Sequence, residues 1–227
     1  MTTTRSRVRS HARSVLGAMA CSSVLAASAV LVPTAHAVPP EPATSSLPRP
    51  EVAGHRVVHH DARRDVLLFD EKSQTRRPAP RDRATDIITT VVDHRASSLV
   101  MHVRARQLVR SGYRLMIAEI LTSEGQRFEF VVDYSTVPID ARISLMKFGS
   151  GATVSCAGAS WSMSASVNQV AASIPDSCLG DPDEVRVGVA LSAAPRDLKT
   201  SWADDSRARG RIGDEHLELG PRQPQAS

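Results

Sequence analysis

Apolar and polar residues alternate with a period of two through much of the chain between residues 53 and 213. Leu99, Met101, Val103 and Ala105 alternate with Val100, His102, Arg104 and Arg106. Phe128, Phe130, Val132 and Tyr134 alternate with Arg127, Glu129, Val131 and Asp133. Trp161, Met163, Ala165 and Val167 do so with serines, and Val185, Val187, Val189 and Leu191 with Arg186, Gly188 and Ala190. Successive side chains of a strand point to opposite faces, so each run turns one face to a core and the other to water or a second layer. Further strands are predicted over residues 66–69, 87–94, 113–122, 143–148, 152–157 and 170–175. Turn residues separate them: 95–98, Ser123-Glu124-Gly125-Gln126, Gly149-Ser150-Gly151 and Asn168-Gln169. No long segment has helical periodicity, and only residues 197–209 are expected to hold a short helix. About nine or ten short strands joined by hairpins predict an all-β antiparallel sandwich, jelly-roll or immunoglobulin-like, with a β-barrel as the alternative.

The chain ahead of this region is built differently. Arg5, Arg7, Arg9 and Arg13 are followed by an apolar stretch from Val15 to Val32, then Pro33 and Ala35-His36-Ala37. A basic start, an apolar middle and small residues before a cleavage point form a secretory signal peptide. Cleavage is expected between Ala37 and Val38, so residues 1–37 are the signal peptide. Residues 38–52 carry five prolines and read as an extended linker. A β-sandwich domain is expected over 53–213, and a polar C-terminal tail over 214–227.

Export changes the charge argument. The full chain has 28 Lys+Arg against 24 Asp+Glu. Four arginines and no acid leave with residues 1–37, so the mature chain is formally neutral. A neutral chain gives no electrostatic footprint for nucleic acid, and once cleaved it has no segment for stable membrane insertion. Cys21 also leaves. The remaining pair, Cys156 and Cys178, in an exported chain predicts a disulfide.

Three pieces carry a family resemblance. One is Asp61-Ala62-Arg63-Arg64-Asp65-Val66 with Asp86-Ile87-Ile88. Another is Ile174-Pro175-Asp176-Ser177-Cys178-Leu179-Gly180-Asp181-Pro182, running into Val185-Arg186-Val187-Gly188-Val189. The last is Ala203-Asp204-Asp205 with Leu219-Gly220-Pro221-Arg222. Together they resemble a group of small secreted all-β proteins of GC-rich Gram-positive bacteria that contain Cys-Leu-Gly-x-Pro. Arg64 stands where similar sequences often have glycine. The resemblance implies the fold class and the export route, and carries no activity.

Candidate chemistry is sparse. Gly-x-Ser-x-Gly is absent, and Ser150 between two glycines is expected to serve a tight turn rather than act as a nucleophile. His55, His59, His60 and Asp61 cluster at the start of the domain. Imidazoles at such spacing can bind a borderline metal, but a polar entry segment is the favoured reading. Asp181, Asp183 and Glu184 place several carboxylates on one loop, as Ca²⁺ requires. No glycine-bearing twelve-residue loop follows, so a solvated turn is expected, with Asp204 and Asp205 adding ligands only if the fold brings them near. Trp202 falls off the predicted strands and is expected to cap the sandwich rather than stack on a sugar. No cofactor motif and no catalytic residue stand out. The expectation is a non-catalytic binding or interaction module with an extracellular or cell-envelope partner. The alternatives are a secreted hydrolase with a loop-built site and a calcium-stabilised structural domain.

Overall fold

The structure, a computed structural model, describes residues 55–108, 113–136, 139–195, 197–213 and 216–226. The expected signal peptide, its expected cleavage site at Ala37 and Val38, and the proline-rich segment read as a linker lie outside these residues. The described strands are β1 (His55–His60), β2 (Leu67–Asp70), β3 (Thr75–Pro78), β4 (Ile87–His94), β5 (Ser98–Ala105), β6 (Tyr113–Thr122) and β7 (Arg127–Thr136). They continue with β8 (Ile139–Lys147), β9 (Ser160–Ser164), β10 (Gln169–Pro175), β11 (Glu184–Ala194), β12 (Thr200–Asp205) and β13 (Gln223–Pro224). Among the described residues the one helical element is a 3-10 turn, Asp176–Cys178.

The strands form two antiparallel sheets packed face to face, with open edges rather than barrel closure. One runs β1-β4-β5-β10-β9, and the other β3-β2-β12-β11-β6-β7-β8 with β13 also paired to β11. Alternation becomes packing through the register. In the larger sheet Val189, Ala118 and Phe130 form one row across three strands, with Leu191, Met116 and Val132 in the next. In the smaller sheet Val92, Met101 and Ala172 line up beside His94, Leu99 and Ile174. These rows make one buried hydrophobic core between the sheets. Small Ala118 sits between Val189 and Phe130, which lets the large ring of Phe130 fill the gap without strain. Cys156 and Cys178 are bonded and pack against this core. Closing a loop of that length is worth roughly 3 kcal/mol in the chain-entropy model.

Three local expectations differ from the structure. Residues 200–205 are strand, not helix: Ser201, Trp202 and Ala203 pair with β2, and Trp202 to Asp205 pair with β11. Residues 152–157 make a single bridge, Met146 to Thr153, because glycines at 149, 151 and 158 all adopt left-handed backbone around them. The ordered body also continues past residue 213. Leu217 N–H donates to Glu119 Oε2 (2.9 Å), Gly220 N–H to the Val187 carbonyl (2.9 Å), and Gln223 is fully buried. Gly188 makes this crossing possible, since a Cβ there would meet the Glu218 carbonyl and Leu217 Cβ at 2.9 Å.

Candidate metal centre

Three segments far apart in sequence meet where β1 ends and β4 begins. Asp61 follows β1 and is tied to β4 by its N–H to the Ile88 carbonyl (3.3 Å). Asp65 precedes β2, Asp86 precedes β4, and Asp204 and Asp205 close β12. A tight turn at Arg64, with φ of 67°, carries the chain between Asp61 and Asp65. Arginine therefore does what the resemblance suggests for glycine, at a cost of about 1–2 kcal/mol for the left-handed backbone. The Arg64 N–H is aimed at Asp86 Oδ1 (3.0 Å) as a result.

Ligand oxygens of Asp61, Asp65 and Asp204 all lie within 4.8 Å of one another. Asp204 is 2% exposed, and its Oδ2 accepts the Ile87 N–H at 2.8 Å. Asp61 Oδ1 accepts the Ala62 N–H at 2.7 Å, while its Oδ2 is buried without a hydrogen-bond partner. Both Asp65 oxygens are buried without one too. Asp86, fully buried, differs: the Arg106 guanidinium pairs with its Oδ2, and Arg106 N–H donates to its carbonyl. Asp205 is also satisfied, accepting from the Arg207 N–H (3.1 Å) and the Glu218 N–H (3.0 Å).

Burial and mutual repulsion dominate the electrostatics. Burial pushes Asp204 up to about 9 against the Ile87 amide, with the charges of Asp61, Asp65 and Asp86 adding. Burial likewise pushes Asp61 up to about 8, the Ala62 amide opposing and the Asp65, Asp205 and Asp86 charges adding. Asp65 is raised by burial, with the charge of Asp86 adding. Such a set has two ways to remain buried at neutral pH. It can keep protons, or it can exchange them for a cation. The donors are all carboxylate oxygen, with no nitrogen or sulfur, which is the chemistry of a hard ion such as Ca²⁺.

The other predicted positions do not converge. His59 and His60 fall on opposite faces of β1. His59 is lowered by burial and by Arg207, and His60 Nδ1 stands 3.5 Å from Thr89 Oγ1. Only Asp61 of that segment reaches the acidic cluster. Asp181 sits in left-handed backbone, Asp183 offers its carbonyl to the Gln225 N–H, and Glu184 pairs with Arg222 at 3.2 Å. This loop is a turn, and Asp204 joins Asp61 and Asp65 instead. Ser150 occupies the turn after β8, its Oγ 3.4 Å from the Lys147 carbonyl. Trp202 stands on β12 and lines a cavity of about 230 Å³ with Arg114, Asp82 and Pro195. Asp65 and Asp86 are the residues that motif reasoning passes over. Their signal is an aspartate placed directly before an apolar strand, in Asp65-Val66 and Asp86-Ile87.

Comparison with protein-family models, curated proteins and solved structures finds no match to this chain. Among the described residues no helix is long and apolar enough to cross a membrane.

Proposed function

We propose that the protein is an exported, non-catalytic β-sandwich module that binds an extracellular or cell-envelope partner, and that a calcium ion ties its first loop to β12. The observation that carries the calcium reading is the convergence of Asp61, Asp65 and Asp204, three of whose oxygens are buried with no hydrogen-bond partner. Lone pairs removed from water without a partner are costly, and a hard cation satisfies several at once. The ion would link residues 61–65 to residue 204, joining the two ends of the domain. Its role is therefore structural: it holds the loops at one end of the sandwich in a fixed shape.

Export is supported by the basic, apolar and Ala-x-Ala sequence of residues 1–37 and by the Cys156–Cys178 disulfide, which belongs to oxidising compartments. The non-catalytic reading is supported by the placement of the nucleophile and base candidates. Ser150 is bound into its turn, and His94, which has a carboxylate beside it, is fully buried. The test is calorimetric titration of the oxidised mature chain with Ca²⁺. One ion per chain is expected, with binding lost in Asp65→Asn. Absence of binding, or equal binding by that variant, overturns the calcium reading.

A further inference from the structure

The end of the sandwich formed by β4, β13 and the 3-10 turn holds a second polar group, separate from the acidic cluster. His94 on β4 is fully buried. Its Nδ1 lies 3.1 Å from the Gln223 carbonyl, and its Nε2 lies 3.4 Å from Asp176 Oδ1. Nδ1 is in hydrogen-bond contact with its acceptor, while Nε2 and Asp176 Oδ1 are buried at ion-pair distance with no hydrogen bond of their own. A neutral imidazole carries one N–H, and only the imidazolium can donate on both sides.

Both acceptors contact the C-terminal residues. Gln223 supplies one directly. Gln225 Nε2 holds the other in place by donating to Asp176 Oδ2 (2.9 Å) and to the Ala96 carbonyl (3.0 Å). The segment is further held by Gln225 N–H to the Asp183 carbonyl (2.8 Å) and Ala226 N–H to the His94 carbonyl (3.1 Å). Its grip is otherwise weak. β13 is two residues long, and the Gln223 side-chain amide is buried with neither its nitrogen nor its oxygen partnered. A short strand that buries an unpaired amide lies close to release.

We propose that residues 223–226 are a proton-latched strap: a proton on His94 closes the C-terminal strand onto β11, and its loss frees the strap and uncovers the β11 edge at Glu184 and Val185. The proposal is independent of the calcium reading, since neither residue touches the acidic cluster. The charged groups around His94 are Asp176 on the 3-10 turn and Asp93 beside it on β4, the latter paired with Arg95 at 2.9 Å. Leu99 flanks it on β5, and His55 stands opposite in the β1 register. Burial alone lowers the imidazole, but the contacts with Asp176 and Gln223 and the charges of Asp176 and Asp93 outweigh it and raise His94 above 6.5. The sign follows. Closure is fully favoured below the value His94 has with the strap open, and is lost as pH rises through the closed value.

The test is amide hydrogen exchange on the full mature chain, with the Gln225 and Ala226 amides compared with those of β6 and β7 after correction for intrinsic rates. Strap protection is expected to fall from about pH 6 to about pH 9, while β6 and β7 stay protected. In His94→Gln the pH dependence should vanish. Should that variant not fold, Gln225→Ala in the full chain should lower the His94 titration midpoint read by NMR, because coupling between proton and strap is reciprocal. Strap protection that ignores pH, that keeps its pH dependence in His94→Gln, or a midpoint unmoved by Gln225→Ala overturns the latch.

Discussion

Asp204→Asn separates the cation reading from a simple buried acid. In the native protein the Asp204 carboxyl is 2% exposed and lies within 4.8 Å of ligand oxygens of Asp61 and Asp65. Two ionised carboxylates at that separation repel by roughly 3 kcal/mol at an effective dielectric constant of about 20. With burial added, Asp204 moves from 3.8 to about 9. The folded value is the higher one, so the stability is whole below about pH 4 and is lost as pH rises toward about 9. Each pH unit removes about 1.4 kcal/mol, or roughly 4 kcal/mol between pH 4 and pH 7. That is a large part of the 5–15 kcal/mol of an ordinary domain. Calcium offsets part of the loss. At about a hundred times its Kd it adds about 2.7 kcal/mol, and a domain of this size gains about 2–4 °C in Tm per kcal/mol. Thermal unfolding at about pH 7.5 in calcium should therefore exceed that in EDTA by roughly 5–10 °C. Asparagine keeps an acceptor for the Ile87 N–H but removes the charge. The variant should match or exceed the native protein in EDTA and lose the calcium shift. A native Tm indifferent to calcium, or a calcium shift kept in the variant, refutes the reasoning.

Further outcomes follow from single contacts. Arg106→Ala leaves Asp86, fully buried, without its cation, and should cost about 3–5 kcal/mol in urea unfolding. Gly188→Val drives a side chain into the Glu218 carbonyl and Leu217 Cβ. It should lower Tm and expose the Leu217 and Gly220 amides to exchange while the β6–β7 pairing stays protected. Arg64→Gly removes the left-handed penalty at φ 67° and keeps the N–H to Asp86 Oδ1. It should be neutral or stabilising by up to about 1 kcal/mol in the same unfolding assay.

What the chain discloses about itself depends on the distance over which information is carried. The hairpins β4–β5 and β6–β7 are legible because their strands are long, rich in branched and aromatic residues, and joined by short turns. The Arg95 N–H to Ser98 carbonyl turn and the positive φ of Gly125 fall where the turn residues stand. β12 is not legible. Thr200-Ser201-Trp202-Ala203-Asp204-Asp205 has a single β-branched residue, at its first position, and it becomes strand only because β11 and β2 flank it. β1 reads as a polar entry because its partner β4 begins 27 positions after β1 ends. The run 152–157 errs in the opposite direction: its composition suits a strand, but the glycines at 149, 151 and 158 bend the chain away from a partner.

The acidic cluster is hidden for the same reason, and that reason bears on its role. No spacing links Asp61 and Asp65 to Asp204, which lies 139 residues beyond Asp65. The link exists only because β4 and β12 converge from different sheets, with Ile87 N–H bonded to Asp204 Oδ2 at 2.8 Å. A cluster of local spacing could form in an unfolded chain and bind an ion there. This one cannot, so an ion bound here would be coupled to the native topology and its full binding free energy would stabilise the fold. The cation would bridge the two sheets at one end of the sandwich, while the Cys156–Cys178 bond ties down the loop between β8 and β9. Two crosslinks of different chemistry then secure different parts of a domain whose strands pair across long stretches of sequence. Such a domain closes its loops slowly before long-range contacts reward them. A calcium-dependent acceleration of refolding is thus expected only if the cluster forms before the β12–β11 pairing is complete, which stopped-flow refolding of the oxidised chain with and without calcium resolves directly.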